Sequence, residues 1–221
     1  MSFQPHLALP FVSLLALAGC LSPDQRVDDF VGSFDTIASQ VSGIGTTPAA
    51  NMPTSSSATY DGFSTLMVYG SSSAQPVDYF VGRSEMTANF TAAGGTVEGR
   101  LDDFAVSQMS ASENGTLRTI VASLDNSDAS LQTLKDGMTD PQIASGALDI
   151  AGDISGSGYT GTISGNLTHG DTVTAVGGSM GGSFGGPTAS AITIEGTTAT
   201  GMGATQNGEA RNVYMLGVGA R

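Results

Sequence analysis

Between Tyr159 and Thr168 the chain alternates strictly: Tyr159, Gly161, Ile163, Gly165 and Leu167 fall on one side, and Thr160, Thr162, Ser164, Asn166 and Thr168 on the other. Successive side chains of an extended strand point to opposite faces, so this period marks a strand with one buried face and one wet one. The pattern recurs at Gly146, Leu148, Ile150, Gly152 and Ile154, at Val97, Gly99 and Leu101, at Met86, Ala88 and Phe90, and at Ile192, Ile194 and Gly196. Eight such segments are expected, at about 58–70, 77–91, 95–107, 145–155, 159–168, 172–184, 189–200 and 211–219. Turn sequences separate them, including Ala93-Gly94-Gly95, Ser157-Gly158, His169-Gly170-Asp171 and Asn207-Gly208. Short connections join antiparallel neighbours, and eight strands can close so that no edge is left open. The expected fold is all-β: a soluble, eight-stranded, antiparallel up-and-down β-barrel, preceded by a short N-terminal helix and a flexible tether.

Only one face of each strand is apolar, so that face lines the interior and the outside is Thr, Ser, Asn and Asp. With no Trp and 6% aromatic residues, the chain lacks the aromatic girdles of a membrane-spanning barrel. Recurrent inward Gly leaves little bulk around a large cavity, which favours an interior filled by its own side chains over one that holds a ligand.

The N-terminus sets a second constraint. Leu7 to Gly19 reads LALPFVSLLALAG, too short to span a bilayer but suited to a signal-peptide core. It runs into Leu17-Ala18-Gly19-Cys20, which resembles the lipobox of bacterial lipoproteins; the resemblance implies a diacylglycerol on the Cys20 thiol. Cys20 is the only cysteine, so it has no disulfide partner. Met1 to His6 departs from the signal pattern in lacking Lys and Arg. Leu21 follows the cysteine where an Asp would retain the protein at the inner membrane; by resemblance to enterobacterial sorting, this implies the outer membrane.

Downstream, Ser22-Pro23-Asp24-Gln25 forms a helix start, with Ser as N-cap, Pro first and Gln closing a capping box. Val27, Phe30, Val31, Phe34, Ile37, Ala38 and Val41 follow at helical spacing, and Gly43 ends the run. Three places are open to this helix: against the barrel, in one of its ends, or in the lipid interface. Packing is the default, because Asp28, Asp29 and Asp35 on its other face would be repelled by anionic lipid. Residues 43–57 show no periodicity and read as a tether. The expected divisions are a signal peptide at 1–19, a lipidated N-terminus with helix and tether at 20–56, and the barrel at 57–221. The gap from Met109 to Ala144 carries a candidate short strand at Thr116 to Ser123 and a helical turn around Leu131 and Leu134 ending at Gly137. It is open to two readings, a contact surface or padding.

The chemistry-bearing residues are few. A formal charge of -13 disfavours nucleic acid as a partner. After cleavage one histidine would remain, His169, in a His-Gly-Asp turn with no nucleophile elbow beside it, so the reading is a turn residue and the chain is not expected to be an enzyme. No cofactor or metal is expected: the chain lacks a His/Cys ligand cluster, and Asp102-Asp103, Asp28-Asp29 and Asp136 with Asp140 fit no calcium loop. Gly156-Ser-Gly158-Tyr-Thr-Gly161 matches GxGxxG, but a strand and not a helix follows it, so it reads as a hairpin.

The stretch Gly178-Ser-Met-Gly-Gly-Ser-Phe184-Gly-Gly186-Pro187-Thr-Ala189, with Glu195-Gly196 and the terminal Leu216-Gly-Val-Gly-Ala-Arg221, resembles the end of the β-barrel domain of transferrin-binding protein B and factor H-binding protein. Phe184 would plug inward, Gly186 and Pro187 would turn the chain, and Ala189 would start the next strand. The spacing after Ala189 departs from that family and leaves the register of the seventh strand open. The resemblance implies a surface lipoprotein of the outer membrane that holds a protein partner, in iron or haem acquisition or host contact, anchored by lipid on Cys20. The alternative is a periplasm-facing, lipocalin-like carrier of a small apolar ligand.

Overall fold

The computed structural model describes residues 21–71 and 76–221, so Leu17, Ala18, Gly19 and Cys20 lie outside the described residues. Ten strand segments make one closed sheet: β1 (Ser55–Tyr69), β2 (Val77–Thr91), β3 (Gly94–Met109), β4 (Gln142–Ile143), β5 (Ser145–Ser155), β6 (Gly158–His169), β7 (Thr172–Gly185), β8 (Ala191–Thr197), β9 (Met202–Gln206) and β10 (Glu209–Ala220). Every pairing is antiparallel, and β1 closes onto β10 from Asp61 opposite Ala220 to Tyr69 opposite Asn212. Two staves consist of two segments each. β4 and β5 both pair with β3, and β8 and β9 lie end to end between β7 and β10. The result is an eight-stranded, antiparallel, up-and-down barrel, as the alternation predicts.

The seventh stave differs from expectation in detail. It breaks at a single 3-10 turn, Thr198–Thr200, and resumes as β9. Thr197 and Thr200 cap each other (Thr200 N to Thr197 Oγ1, 3.2 Å; Thr197 N to Thr200 Oγ1, 3.0 Å), while Thr198 Oγ1 takes the Val213 amide that the ladder leaves free. Side-chain hydroxyls competing for backbone partners interrupt the strand. Asn207 and Gly208 then make the two-residue turn into β10 with φ of +49° and +87°, the positive pair that such a hairpin requires.

Inside the barrel, glycine on one strand is matched by a large side chain on the next. Met86 covers Gly99, its partner in the register, and Met202 covers Gly196. The Phe104 ring covers Gly82, and the Tyr159 ring covers Gly182. A Cβ on any of these glycines would occupy the space its neighbour fills. Tyr60, Phe80, Phe104, Phe184, Leu66, Met86 and Leu101 are each under 2% exposed, so the lumen is packed with side chains.

A second apolar core lies outside the barrel wall. Phe63 and Met67 of β1, Val77, Tyr79 and Val81 of β2, Ala105 and Met109 of β3 and Val218 of β10 form one buried cluster with residues of three helices. The expectation of a uniformly wet exterior is therefore wrong for this quarter of the wall. The second half of β1 and the first half of β2 are buried on both faces, which is why FSTLMVY and VDYFV read as continuous apolar runs and not as alternation.

The cover consists of α1 (Pro23–Val41), α2 (Ala111–Ser123) and α3 (Asp128–Gly137). The predicted α1 is present with both halves of its Ser22/Gln25 capping box, and Val27, Phe30, Phe34, Ile37, Ala38 and Val41 are buried against the wall. The strand expected at Thr116 to Ser123 is instead most of α2. Leu117, Ile120 and Val121 sit at helical spacing and are buried, and Ser110 with Glu113 forms a capping box at its start. Arg118 lies over the Tyr214 ring at 4.2 Å, Lys135 of α3 meets Asp28 of α1 at 2.7 Å, and Asn126 bonds Asp35 at 2.9 Å. The 109–144 insertion is thus structural cover.

The segment expected to be a flexible tether is tied down in its middle. The Thr47 amide donates to the Phe184 carbonyl at 2.8 Å, the fully buried Thr47 hydroxyl donates to the Gly186 carbonyl at 2.6 Å, and the Gly186 amide donates to the Gly45 carbonyl at 2.9 Å. Thr46 makes an isolated bridge to Gly185.

Candidate functional site

The corner singled out in the sequence forms one end of the barrel. Phe184 is fully buried among Tyr60, Phe90 and Tyr159, with ring centroids at 6.1, 5.3 and 6.0 Å. Gly186 turns with φ of +84°, and a Cβ there would run into the Ser190 hydroxyl. Pro187 is exposed, while Ala189 is buried at φ of +58°, its carbonyl accepting the Tyr60 hydroxyl at 2.7 Å. These four residues close the end and hold the α1–β1 linker; their surroundings are packing, not a cleft.

The opposite mouth carries a polar cluster that sequence reasoning missed. Asp78, His169 and Gln108 meet there with Gln206 and Arg211. Gln206 Nε2 and Gln108 Nε2 both donate to the Asp78 carboxylate, and Arg211 Nε donates to Gln206 Oε1 at 3.2 Å. His169 Nε2 stands 4.0 Å from Asp78, with the two side chains 15% and 10% exposed. His169 is the last residue of β6 and packs edge-on against Phe80 at 5.8 Å, so its side chain belongs to the mouth and not to the turn that follows. Among the described residues, His169 Nδ1 and the buried Thr174 hydroxyl have no hydrogen-bond partner. Strand parity is the signal that was available: Asp78 lies two residues before Phe80, His169 two after Leu167, and Gln206 two after Ala204, all inward positions. The cluster bonds β2 to β9 across the mouth.

Among the described residues, grooves run along the outside. One, of about 420 Å³, lies between α1 and β1–β2, lined among others by Asp29, Asp61 and Arg83. The wider, of about 720 Å³, lies over β6, β7 and β8, between Thr160 and Thr162 on one side and Glu195, Thr197 and Thr200 on the other. Its floor contains Gly181 and Gly182, where β7 and β8 part. The Tyr159 hydroxyl fills the opening by donating to the Thr193 carbonyl at 2.8 Å, and the Ser183 amide donates to Thr193 Oγ1 at 2.9 Å.

Among the described residues the exposed large hydrophobics are Leu21, Ile44 and Val173. No described helix is long and apolar enough to cross a membrane. Of the acidic pairs, Asp102 meets Arg100 at 3.1 Å and Asp103 meets Arg26 at 3.6 Å. The GxGxxG match is the β5–β6 hairpin.

No family model and no curated protein matches the chain. It is similar in structure to intact transferrin-binding protein B with its N and C lobes, designated Ap, at 14% identity and a TM-score of 0.40, over 79% of this chain and 28% of that one. It is also similar to two substituted forms of the vaccine antigen transferrin-binding protein B from Haemophilus parasuis Hp5. The single mutant gives 15% identity and a TM-score of 0.41, and the double mutant 14% and 0.42; each match spans 79% of this chain, and 28% and 27% of theirs. The chain spans little more than a quarter of the length of these structures.

Proposed function

We propose that this chain is an outer-membrane lipoprotein, acylated at Cys20 after removal of residues 1–19, whose barrel is a protein-binding module displayed at the cell surface. The observation that supports a binding surface over a ligand carrier is the packed lumen. A lipocalin-like carrier needs an open cavity, whereas here Tyr60, Phe80, Phe104 and Phe184 fill the inside and the Asp78 cluster bonds across the mouth. Recognition then falls to the outer wall, the grooves and the helical cover. A binding role also fits His169, whose imidazole is wedged between Phe80 and Asp78 with little room for a substrate. The partner class that the corner resemblance brings is a protein concerned with iron or haem uptake, or a host protein.

Mass spectrometry of the N-terminal peptide from membrane-extracted protein is expected to show a diacylglyceryl Cys20, lost in Cys20→Ser. Protease treatment of intact cells is expected to cleave the barrel. An unmodified Cys20, or a barrel untouched by protease on intact cells, would overturn the corresponding half of the reading. Cross-linking on cells under iron limitation then names the partner.

A further inference from the structure

The start of α1 is fixed to the side of the barrel, near mid-height. Arg26 Nη1 donates to the Phe104 carbonyl at 3.4 Å and pairs with Asp103, both on β3 where its register with β2 shifts. Leu21 lies with Phe30, Phe63, Gly82, Arg83 and Asp103 around a small crevice. The capping box fastens the first turn, with the Ser22 amide on Gln25 Oε1 at 2.8 Å. Six buried side chains hold the helix along its length, and the Thr47 and Gly186 bonds hold the chain beyond it. Between residue 20 and the first residue of α1 stand only Leu21 and Ser22.

We propose that the barrel lies on its side on the bilayer, with the wall of β2–β3 and the start of α1 against the headgroups, and not on a stalk. This rests on the acylation proposed above. Three residues, fully extended, span at most about 10 Å. A rigid body on so short a leash, fastened at the side, can meet the membrane only with that side. In the strand order around the barrel, the position opposite the β2–β3 seam is the one between β7 and the β8–β9 stave. The wide groove of Thr160, Thr162, Glu195 and Thr200 therefore faces straight away from the membrane, where an approaching macromolecule meets it first. Near the anchor the carboxylates Asp24, Asp28, Asp29 and Asp61 outnumber the cations Arg26, Arg83 and Lys135, so the wall favours zwitterionic over anionic lipid.

The test uses full-length acylated protein in phosphatidylcholine vesicles that contain a headgroup-linked quencher. A fluorophore is placed at Arg83→Cys or at Ser179→Cys, both on exposed positions. Quenching at position 83 is expected to exceed that at 179 at least fivefold, and a twelve-residue Gly/Ser insertion between Cys20 and Leu21 is expected to bring the two within twofold. Equal quenching in protein that floats with the vesicles overturns the side-on placement and leaves the acylation standing. Protein that fails to float overturns both.

Discussion

The hydroxyl of Thr47, 2.6 Å from the carbonyl of Gly186, joins two features that are 139 residues apart in the chain: the linker after α1 and the corner between β7 and β8. Gly186 can turn there because it has no Cβ to meet Ser190, and its amide and carbonyl are thereby presented to Gly45 and Thr47. The bond makes α1 part of the folded unit and not a pendant. Thr47→Val removes the hydroxyl and leaves the Gly186 carbonyl short of a partner inside the protein, with an expected cost of about 1–3 kcal/mol. Urea unfolding measures the loss, and faster amide exchange at Thr47 localises it. Thr47→Ser should retain most of the stability; equal losses in both variants would assign the effect to packing.

Glycine and large residue are interlocked between neighbouring strand segments inside the barrel, so enlarging the glycine should be costly. In Gly182→Ala the new methyl meets the Thr193 carbonyl and the Tyr159 ring. The strands must shift, with an expected cost of about 1–3 kcal/mol in thermal unfolding. A variant as stable as the parent would show that β7 and β8 part more readily than their side-chain bonds suggest.

The outer core can be tested apart from the barrel. Phe34 is fully buried under α1, 5.1 Å from Phe63 and 6.2 Å from Phe30 by ring centroids. Phe34→Ala should cost about 3–5 kcal/mol. If the helical cover were peripheral, the variant would unfold at the same urea concentration as the parent.

Alkaline pH should unfold the protein through its buried tyrosines. Burial pushes the Tyr60 hydroxyl up to about 12, with Arg221 pulling the other way, and raises Tyr79 and Tyr159 further still. An unfolded tyrosine ionises near pH 10, so between about 10 and 12 the folded state keeps protons that the unfolded state has released. The stabilising effect is whole below about pH 10 and falls as pH rises through that window. Urea midpoints at pH 8, 10 and 11 are expected to be level and then to drop. A constant midpoint through pH 11, with all five tyrosines ionised in the ultraviolet, would contradict the burial of these hydroxyls.

Much of this fold could be read directly from the chain. Period-two alternation fixes β5 to β7 almost to the residue, because one face must be dry and the pleat permits only one parity. Ser22, Pro23 and Gln25 fix the start of α1, because a capping box is a local bond between near neighbours. Ser110 and Glu113 carry the same signal for α2, which the expectation of a strand at Thr116 to Ser123 passes over.

What the sequence by itself determined is therefore local: the parity of each strand, the caps of the helices, the two-residue turn at Asn207-Gly208. Tertiary structure decided which face of the wall α1 covers, that the 109–144 insertion joins it there, and that Asp78 and Gln206, 128 residues apart, meet across the barrel mouth. The physical reason is closure. Bringing β1 against β10 sets which inward positions oppose one another across the lumen and which outward apolar residues become neighbours, and no window of the chain holds both partners of such a contact.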